Sequence, residues 1–255
     1  MTASEGGLEH DYIAGRRAVA EALRAGRPIH KLFVAAGARD NIRELSEEAR
    51  RLGIPVQIVD RRKLDDLVPD VSHQGVVAQA ASGRYWELDE LLGGAASDGQ
   101  PPFFVLLDGI EDPRNLGAIL RTAECAGVHG VIVPKRRSAG LTAAVAKTSA
   151  GAVEHVRVAR VSNVVQAIRR LRERGIWVVG ADLSGDRYIY DVDLTIPVAI
   201  VVGNENAGIG RLVRESCDWL VRIPLFGSVA SLNASVAAGV LLYEVVRQRR
   251  FSKNA

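Results

Sequence analysis

Cysteine is scarce in this chain: Cys125 and Cys217 are the only two among 255 residues. They stand alone, with no Cys-X-X-Cys pair and no neighbouring His pair, so neither a disulfide framework nor a metal site is indicated. Long apolar runs are missing too, and none approaches the roughly 20 residues needed to cross a bilayer. The first residues, MTASEGGLEHD, are acidic and polar where a secretory leader would be basic and then apolar. A cytoplasmic protein without membrane or metal is the expectation. Low-complexity tails and internal repeats are also lacking.

What is present describes a globular enzyme-sized chain. With 47% hydrophobic and 25% charged residues, 255 positions allow one large or two modest domains. The net charge of +3 is small but uneven, about +6 over residues 101–255 and −3 over residues 1–100. Of the 33 basic residues 28 are Arg, whose planar fork suits phosphate and whose plane stacks on bases. A GC-rich genome would equally enrich arginine.

Taken in order, Gly15–Ala25, Ile42–Leu52 and Arg62–Leu67 carry helical spacing. His30–Ala36, Ile54–Val59 and Gly75–Ala80 read as strands between them. That alternation predicts a small α/β domain over residues 1–81. Tyr85–Leu92 reads as a short amphipathic helix, and Gly93–Pro102 is the clearest linker, giving a boundary region at 82–101. From Phe103 the segments FFVLLD, GVIVP, HVRVARV, WVVGAD, VAIVVG and WLVRIPL alternate with helical stretches. Residues 102–255 are therefore expected to form a doubly wound, largely parallel sheet. The first strand is followed by GIEDPRNLG, whose glycine spacing is wrong for a dinucleotide fingerprint.

Two apolar runs, Pro197–Val202 and Trp219–Leu225, stop at loops rich in Gly, Asn and Ser. The expectation is that both loops leave the carboxyl ends of neighbouring strands, where open α/β sheets bind ligands. Gly203, Gly208 and Gly227 would permit close backbone approach. Each polar residue here also has a plain structural reading. Ser231, Asn233 and Asn115 suit helix caps, and Glu205 suits a solvated loop. Arg121 lies off the apolar face formed by Leu116, Ile119, Leu120 and Ala123, as a surface charge would. The final helix, Ala234–Arg249, is dense in small residues, and Gly239 suggests close packing. Arg247, Arg249 and Arg250 suit its dipole.

Asp108–Arg121, the GNE at Gly203–Glu205, and IPLFGSVASLN at Ile223–Asn233 with the ASVAAGVLLYE that follows resemble the three motifs of the SpoU (TrmH) methyltransferases, in order and at matching spacing. SHQGVVA at Ser72–Ala78 is similar to the end of that family's L30e-like RNA-binding domain. The resemblance covers nearly the whole chain and is nearest to the two-domain, RlmB-type branch.

It implies a knotted SPOUT-class domain with a trefoil knot, and a homodimer using S-adenosylmethionine to methylate a guanosine ribose 2′-oxygen in 23S rRNA. It assigns catalysis to Arg121, Asn115, Glu205, Ser231 and Asn233, and donor contacts to Gly203, Ile223 and Leu232. Arg16, Arg17 and Lys31 become candidate RNA contacts. For Arg121 the resemblance implies a general base. A charged guanidinium holding phosphate and stabilising the incipient alkoxide is physically easier, because guanidinium deprotonates only above pH of about 12. Leu225 replaces a common Met and Asn206 a frequent Gly. Two alternatives stand beside this reading: a tRNA guanosine 2′-O-methyltransferase, whose compact form lacks a domain like Tyr12–Ala80, and a catalytically idle RNA-binding ribosome-assembly protein on the same fold.

Overall fold

In the strand Ile29–Ala35 (β2), Leu32 and Val34 are buried toward one side of a sheet, and Phe33 and Ala35 toward the other. That period of two is what a strand covered on both faces requires. The computed structural model describes residues 10–38, 40–69, 71–81, 85–95 and 99–251. The chain divides into two compact units, residues 1–84 with 141–154, and residues 85–140 with 155–255.

The first unit runs β1 (His10–Ala14), α1 (Arg16–Arg24), β2, α2 (Asp40–Arg51), β3 (Val56–Val59), α3 (Arg61–Leu67) and β4 (Val76–Ala81). Its sheet has the order β1-β4-β2-β3, antiparallel except for β2 and β3. One face packs on Val19, Leu23, Ile42, Leu45 and Ala49 of α1 and α2, the other on Leu64 and Val68. The edge strand β1 was not anticipated from its five residues, HDYIA, of which two are charged or titratable at the start.

Residues 141–154 join this unit through Ala146 in its core and a buried ion pair, Arg27 Nη1 to Glu154 Oε1 at 2.6 Å. Gly151 explains the fit, since a Cβ there would lie 2.5 Å from Cβ of Glu21 on α1. His73 is 2% exposed. Its Nδ1 accepts from Gly75 N–H and its Nε2 lies 3.0 Å from Asp65 Oδ1. That arrangement makes His73 the organiser of the turn before β4.

The second unit holds α4 (Leu88–Gly94), β5 (Phe103–Asp108), α5 (Pro113–Cys125) and β6 (Gly130–Pro134). It continues with β7 (Val158–Val161), α7 (Val164–Glu173), β8 (Trp177–Ala181) and β9 (Arg187–Tyr188), then β10 (Val198–Gly203), α8 (Arg211–Ser216), β11 (Trp219–Arg222) and α9 (Ala234–Phe251). The short α6 (Ala143–Thr148) belongs to the first unit. Seven parallel strands lie in the order β7-β6-β5-β10-β8-β11-β9. The strands β5 and β6 are buried at every position, as a sheet covered on both faces demands, while the edge strand β9 is exposed.

Two expectations need correction. The motif-bearing strands β10 and β11 are not neighbours, because β8 lies between them. Gly93 and Gly94 are helical rather than linker, since α4 packs Leu91 and Leu92 into the core of the sheet.

The end of α9 is fastened rather than merely complementing a dipole. Arg249 donates from Nε to Leu194 O (3.0 Å), from Nη1 to Pro101 O (2.6 Å), and from Nη2 to Pro102 O (3.2 Å) and Ile196 O (2.6 Å). Burial pushes its pKa down to about 10, with a small contribution from Arg250, so it stays charged at neutral pH. Gln248 adds bonds to Val192 O and Leu194 N. Hydrogen bonds to charged groups contribute about 1.5–3 kcal/mol each. Arg249→Ala is therefore expected to lower the melting temperature by roughly 10 °C at about 3 kcal/mol lost. A thermal melt followed by circular dichroism reads this; a shift below about 2 °C would remove the staple from the account.

Candidate active site

Helix α5 starts one turn earlier than its sequence suggests. Asp112 is the N-cap, its carboxylate accepting from Arg114 N–H at 2.8 Å, with Pro113 in the first position. Asn115 is thus released from capping and sits buried in the first turn. Its Nδ2 donates to Glu205 Oε1 at 2.7 Å, and its Oδ1 accepts from Asn233 Nδ2 at 2.9 Å. Asn233 Nδ2 also reaches Glu205 Oε1 at 2.7 Å, and Ala234 N–H donates to the same oxygen at 3.2 Å. One carboxylate oxygen thereby joins α5, the loop after β10 and the start of α9. Asn233 still caps α9, its Oδ1 accepting from Ser235 N–H at 3.0 Å. Capping and the polar ring are two uses of one side chain.

The loop that carries Glu205 is a tight turn. Asn204 and Gly208 exchange backbone bonds of 3.2 and 2.8 Å, and Asn204 Nδ2 donates to Gly109 O at 3.0 Å. A Cβ at Gly203 would lie 2.3 Å from the backbone of Gly208, so the turn itself demands glycine there. No comparable crowding exists at Gly227. Asp108, at the end of β5, accepts from Gly210 N–H at 2.8 Å and fixes the turn's exit.

Beside this ring lies a cleft of about 260 Å³ at the carboxyl ends of β8, β10 and β11. Gly203, Glu205, Ile223, Ser231 and Leu232 line it, with Val202, Leu225 and Ala237 adding apolar wall. Asn115, Asn233 and Arg121 do not line it. Arg121 is exposed on α5 and makes no hydrogen bond or ion pair among the described residues. Six residues from Asn115, it lies about 9 Å further along the axis and about 120° around it. The structure therefore brings four motif residues to one place and leaves Arg121 outside it.

Sequence reasoning missed Asp182, Arg214 and Arg222, which also line the cleft. The available signal for Asp182 was its place just past the strand WVVGA, in the middle of a parallel sheet. Its Oδ1 accepts from Ser184 N–H (2.9 Å) and Oγ–H (2.6 Å), and its Oδ2 lies 3.0 Å from Arg214 Nε. Burial pushes its pKa up, but the Ser184 bonds and the Arg214 charge outweigh that and hold it below the ordinary aspartate value. Cys217 is no nucleophile, because burial and then nearby Asp218, Asp108 and Asp182 raise its thiol to about 12.

Residues 102–243 match the model of the SpoU rRNA Methylase family, and residues 12–86 match that for RNA 2′-O ribose methyltransferase substrate binding. The chain belongs to the SpoU rRNA methylase family. A putative TrmH family tRNA/rRNA methyltransferase of Bacillus subtilis, YacO, is 49% identical over 94% of this chain and 97% of its own. The crystal structure of the SpoU methyltransferase AviRb from Streptomyces viridochromogenes with AdoMet superposes with a TM-score of 0.78 at 30% identity, over 93% and 90% of the two chains. A TrmH/SpoU tRNA modifying enzyme of A. aeolicus matches 64% of this chain and 82% of its own, at 31% identity and a TM-score of 0.54.

This chain is accordingly an S-adenosylmethionine-dependent RNA methyltransferase acting on ribose 2′-oxygens. The cleft suits such a donor: apolar walls for a flat base, and polar groups of Asp182, Asn204, Glu205 and Ser231 at their margins. Among the described residues no group of His, Cys, Asp and Glu could hold a metal ion, and no helix is long and apolar enough to cross a membrane.

The Asp182 carboxylate yields a pH dependence of stability. Its folded pKa lies below the value of about 3.9 expected when unfolded. Its contribution is therefore fully present above that value and fades as pH falls through the lower, folded one. Asp182→Asn is expected to melt below wild type at pH 7, with the gap closing below about pH 4. Melting curves across that range measure it, and a gap that widens on acidification would reverse the assignment.

Proposed function

We propose that this chain transfers a methyl group from S-adenosylmethionine to the 2′-oxygen of an unpaired guanosine ribose in 23S rRNA, as a cytoplasmic homodimer. One observation carries the reading. Asn115, Glu205 and Asn233, from three separate motif segments, hydrogen-bond to one another beside a cleft lined by Gly203, Ile223, Ser231 and Leu232. The cleft volume of about 260 Å³ is just under the usual lower bound for ligand pockets, about 300 Å³. In this reading the backbones of Gly203, Ile223 and Leu232 surround the adenine and methionine parts of the donor.

The donor supplies an already activated methyl group, so positioning contributes most of the rate. Glu205 Oε1 accepts three hydrogen bonds, which makes it an anchor for the segments that donate them. Ser231, at the cleft wall, is assigned to orient the incoming ribose. Arg121, charged and without a partner among the described residues, is assigned to the RNA phosphate and to the alkoxide that forms as the hydroxyl loses its proton.

The N-terminal unit, read as an L30e-like domain, selects the RNA, and exposed Arg17 is available for phosphate contact. The trefoil knot is assigned to the segment from β10 through α9. Dimerisation is assigned to the outer side of α9. Val236 and Tyr243 are 53% and 50% exposed there. Between them Gly239 answers to no close approach within the chain, since a Cβ would meet only Thr122 Cγ2 at 3.9 Å. The tRNA alternative is left open by YacO, a putative tRNA/rRNA methyltransferase, and weakened by the 64% of this chain that the A. aeolicus tRNA enzyme matches.

Mapping of 2′-O-methyl positions in RNA from cells with and without the protein decides the target. Loss of a mark at one 23S rRNA guanosine is expected; loss confined to tRNA would move the assignment. Arg121→Ala should cut turnover about 100-fold or more, with melting temperature and donor affinity nearly unchanged. Turnover within about threefold of wild type would contradict its role. Gly239→Arg should convert the dimer to a monomer by sedimentation, and a persistent dimer would move the interface away from α9.

A further inference from the structure

The parallel sheet presents all its carboxyl ends along one edge, with β10 at the centre of the strand order and the donor cleft over the ends of β10, β8 and β11. Cationic side chains occupy both ends of that edge. On the β6–β7 side, Lys135, Arg136 and Arg137 are exposed directly after β6. Arg160 of β7 donates to Lys135 O and lies over the ring of Tyr85 at 5.2 Å. At the other end, Arg222 of β11 and Tyr188 of β9 are register partners, and the Arg222 guanidinium lies over the Tyr188 ring at 4.6 Å. The edge therefore runs from one arginine-on-tyrosine stack, past the site, to a second.

The second stack has three properties that a purely structural contact would not need. Arg222 makes no hydrogen bond and no ion pair among the described residues, so its charge is left uncompensated. It lines the donor cleft, whereas Tyr188 does not, so the pair straddles the rim. Tyr188 is 40% exposed and is flanked by exposed Arg187 and by Tyr190 at 49%. A guanidinium held over an aromatic ring has lost rotamer freedom, and the pair offers both aromatic surface to a base and a charge to a phosphate. Unpaired RNA bases are recognised by stacking on such planes.

We propose that the Arg222–Tyr188 stack is a platform for an unpaired base of the substrate RNA beside the nucleotide being methylated, and that it contributes to substrate choice. The chemistry shared by the possible occupants is the flat face of a nucleobase. The position of Tyr188 outside the cleft favours a base of the RNA over the adenine of the donor. The proposal rests on RNA being the substrate, and is independent of which RNA that is.

The test uses full-length protein and two fluorescent probes, an adenosine dodecaribonucleotide and the same backbone with abasic sites. S-Adenosylhomocysteine affinity is measured in parallel by calorimetry. Wild type is expected to prefer the base-bearing probe by about tenfold or more, given the usual strength of base–aromatic stacking. Tyr188→Ala and Arg222→Lys should each reduce that preference by several fold, while Tyr188→Phe keeps it. Lysine retains the charge but has no plane. An unchanged S-adenosylhomocysteine affinity in the Tyr188 variants, whose side chain lies outside the cleft, shows that the cleft is intact.

Undiminished base preference in both Tyr188→Ala and Arg222→Lys overturns the platform and leaves RNA methylation standing. Weakened S-adenosylhomocysteine binding with base preference intact assigns the stack to the donor instead. Failure of wild type to bind either RNA at low salt overturns the platform together with the choice of RNA as substrate.

Discussion

A single carboxylate oxygen ties the active-site region together. Glu205 Oε1 accepts from Asn115 on α5, from Asn233 ahead of α9 and from the backbone of Ala234. These three segments are 90 residues or more apart from one another or joined only through the β10–β11 excursion. Charge-assisted bonds of this kind are stronger than neutral ones, and a buried donor left without its acceptor costs about 1–3 kcal/mol. Removing the oxygen would therefore loosen two helix starts and one loop at once. The cleft wall formed by Gly203, Ser231 and Leu232 depends on the positions of those same segments.

Around that anchor the sheet divides its labour by position. Buried apolar strands supply rigidity, and the cleft with its polar ring lies at or beyond the carboxyl ends, as open α/β sheets arrange their sites. Asp108 fixes the turn after β10, Asp182 pairs with Arg214, and Arg222 remains uncompensated at the rim. At the opposite end, Arg249 satisfies four carbonyls and holds α9 in place. The same residue type thus serves as a staple in one place and a cleft-lining charge in another. Burial and available acceptors distinguish the two.

Much of the architecture was legible in the sequence because it rests on local periodicity. The strands FFVLLD, GVIVP and VAIVVG fall where their patterns place them, whereas α5 starts a turn before the position its sequence suggests. Resemblance to the family's motifs singled out Asn115, Glu205 and Asn233, but not their mutual bonds, which depend on contacts across 90 and 118 residues. Asn115 looked like a cap until Asp112 took that role, one of several residue types able to fill it. The place of β8 between β10 and β11, and the packing of residues 141–154 with the first unit, are long-range features with no period to betray them. Asp182 and Arg222 were invisible for a related reason: only strand order reveals that their ends converge.

The central claim is that the Glu205 anchor holds the methyl-transfer site in working order. Its most direct test is the rate of methyl transfer from labelled S-adenosylmethionine to ribosomal RNA by Glu205→Ala and Glu205→Gln proteins, alongside donor affinity by calorimetry. The account expects Glu205→Ala to lose about 100-fold or more in rate and to bind donor more weakly, because three hydrogen bonds lose their acceptor. Glu205→Gln, which keeps a carbonyl oxygen at that position, should lose less. A Glu205→Ala protein with wild-type rate and donor affinity would contradict the claim.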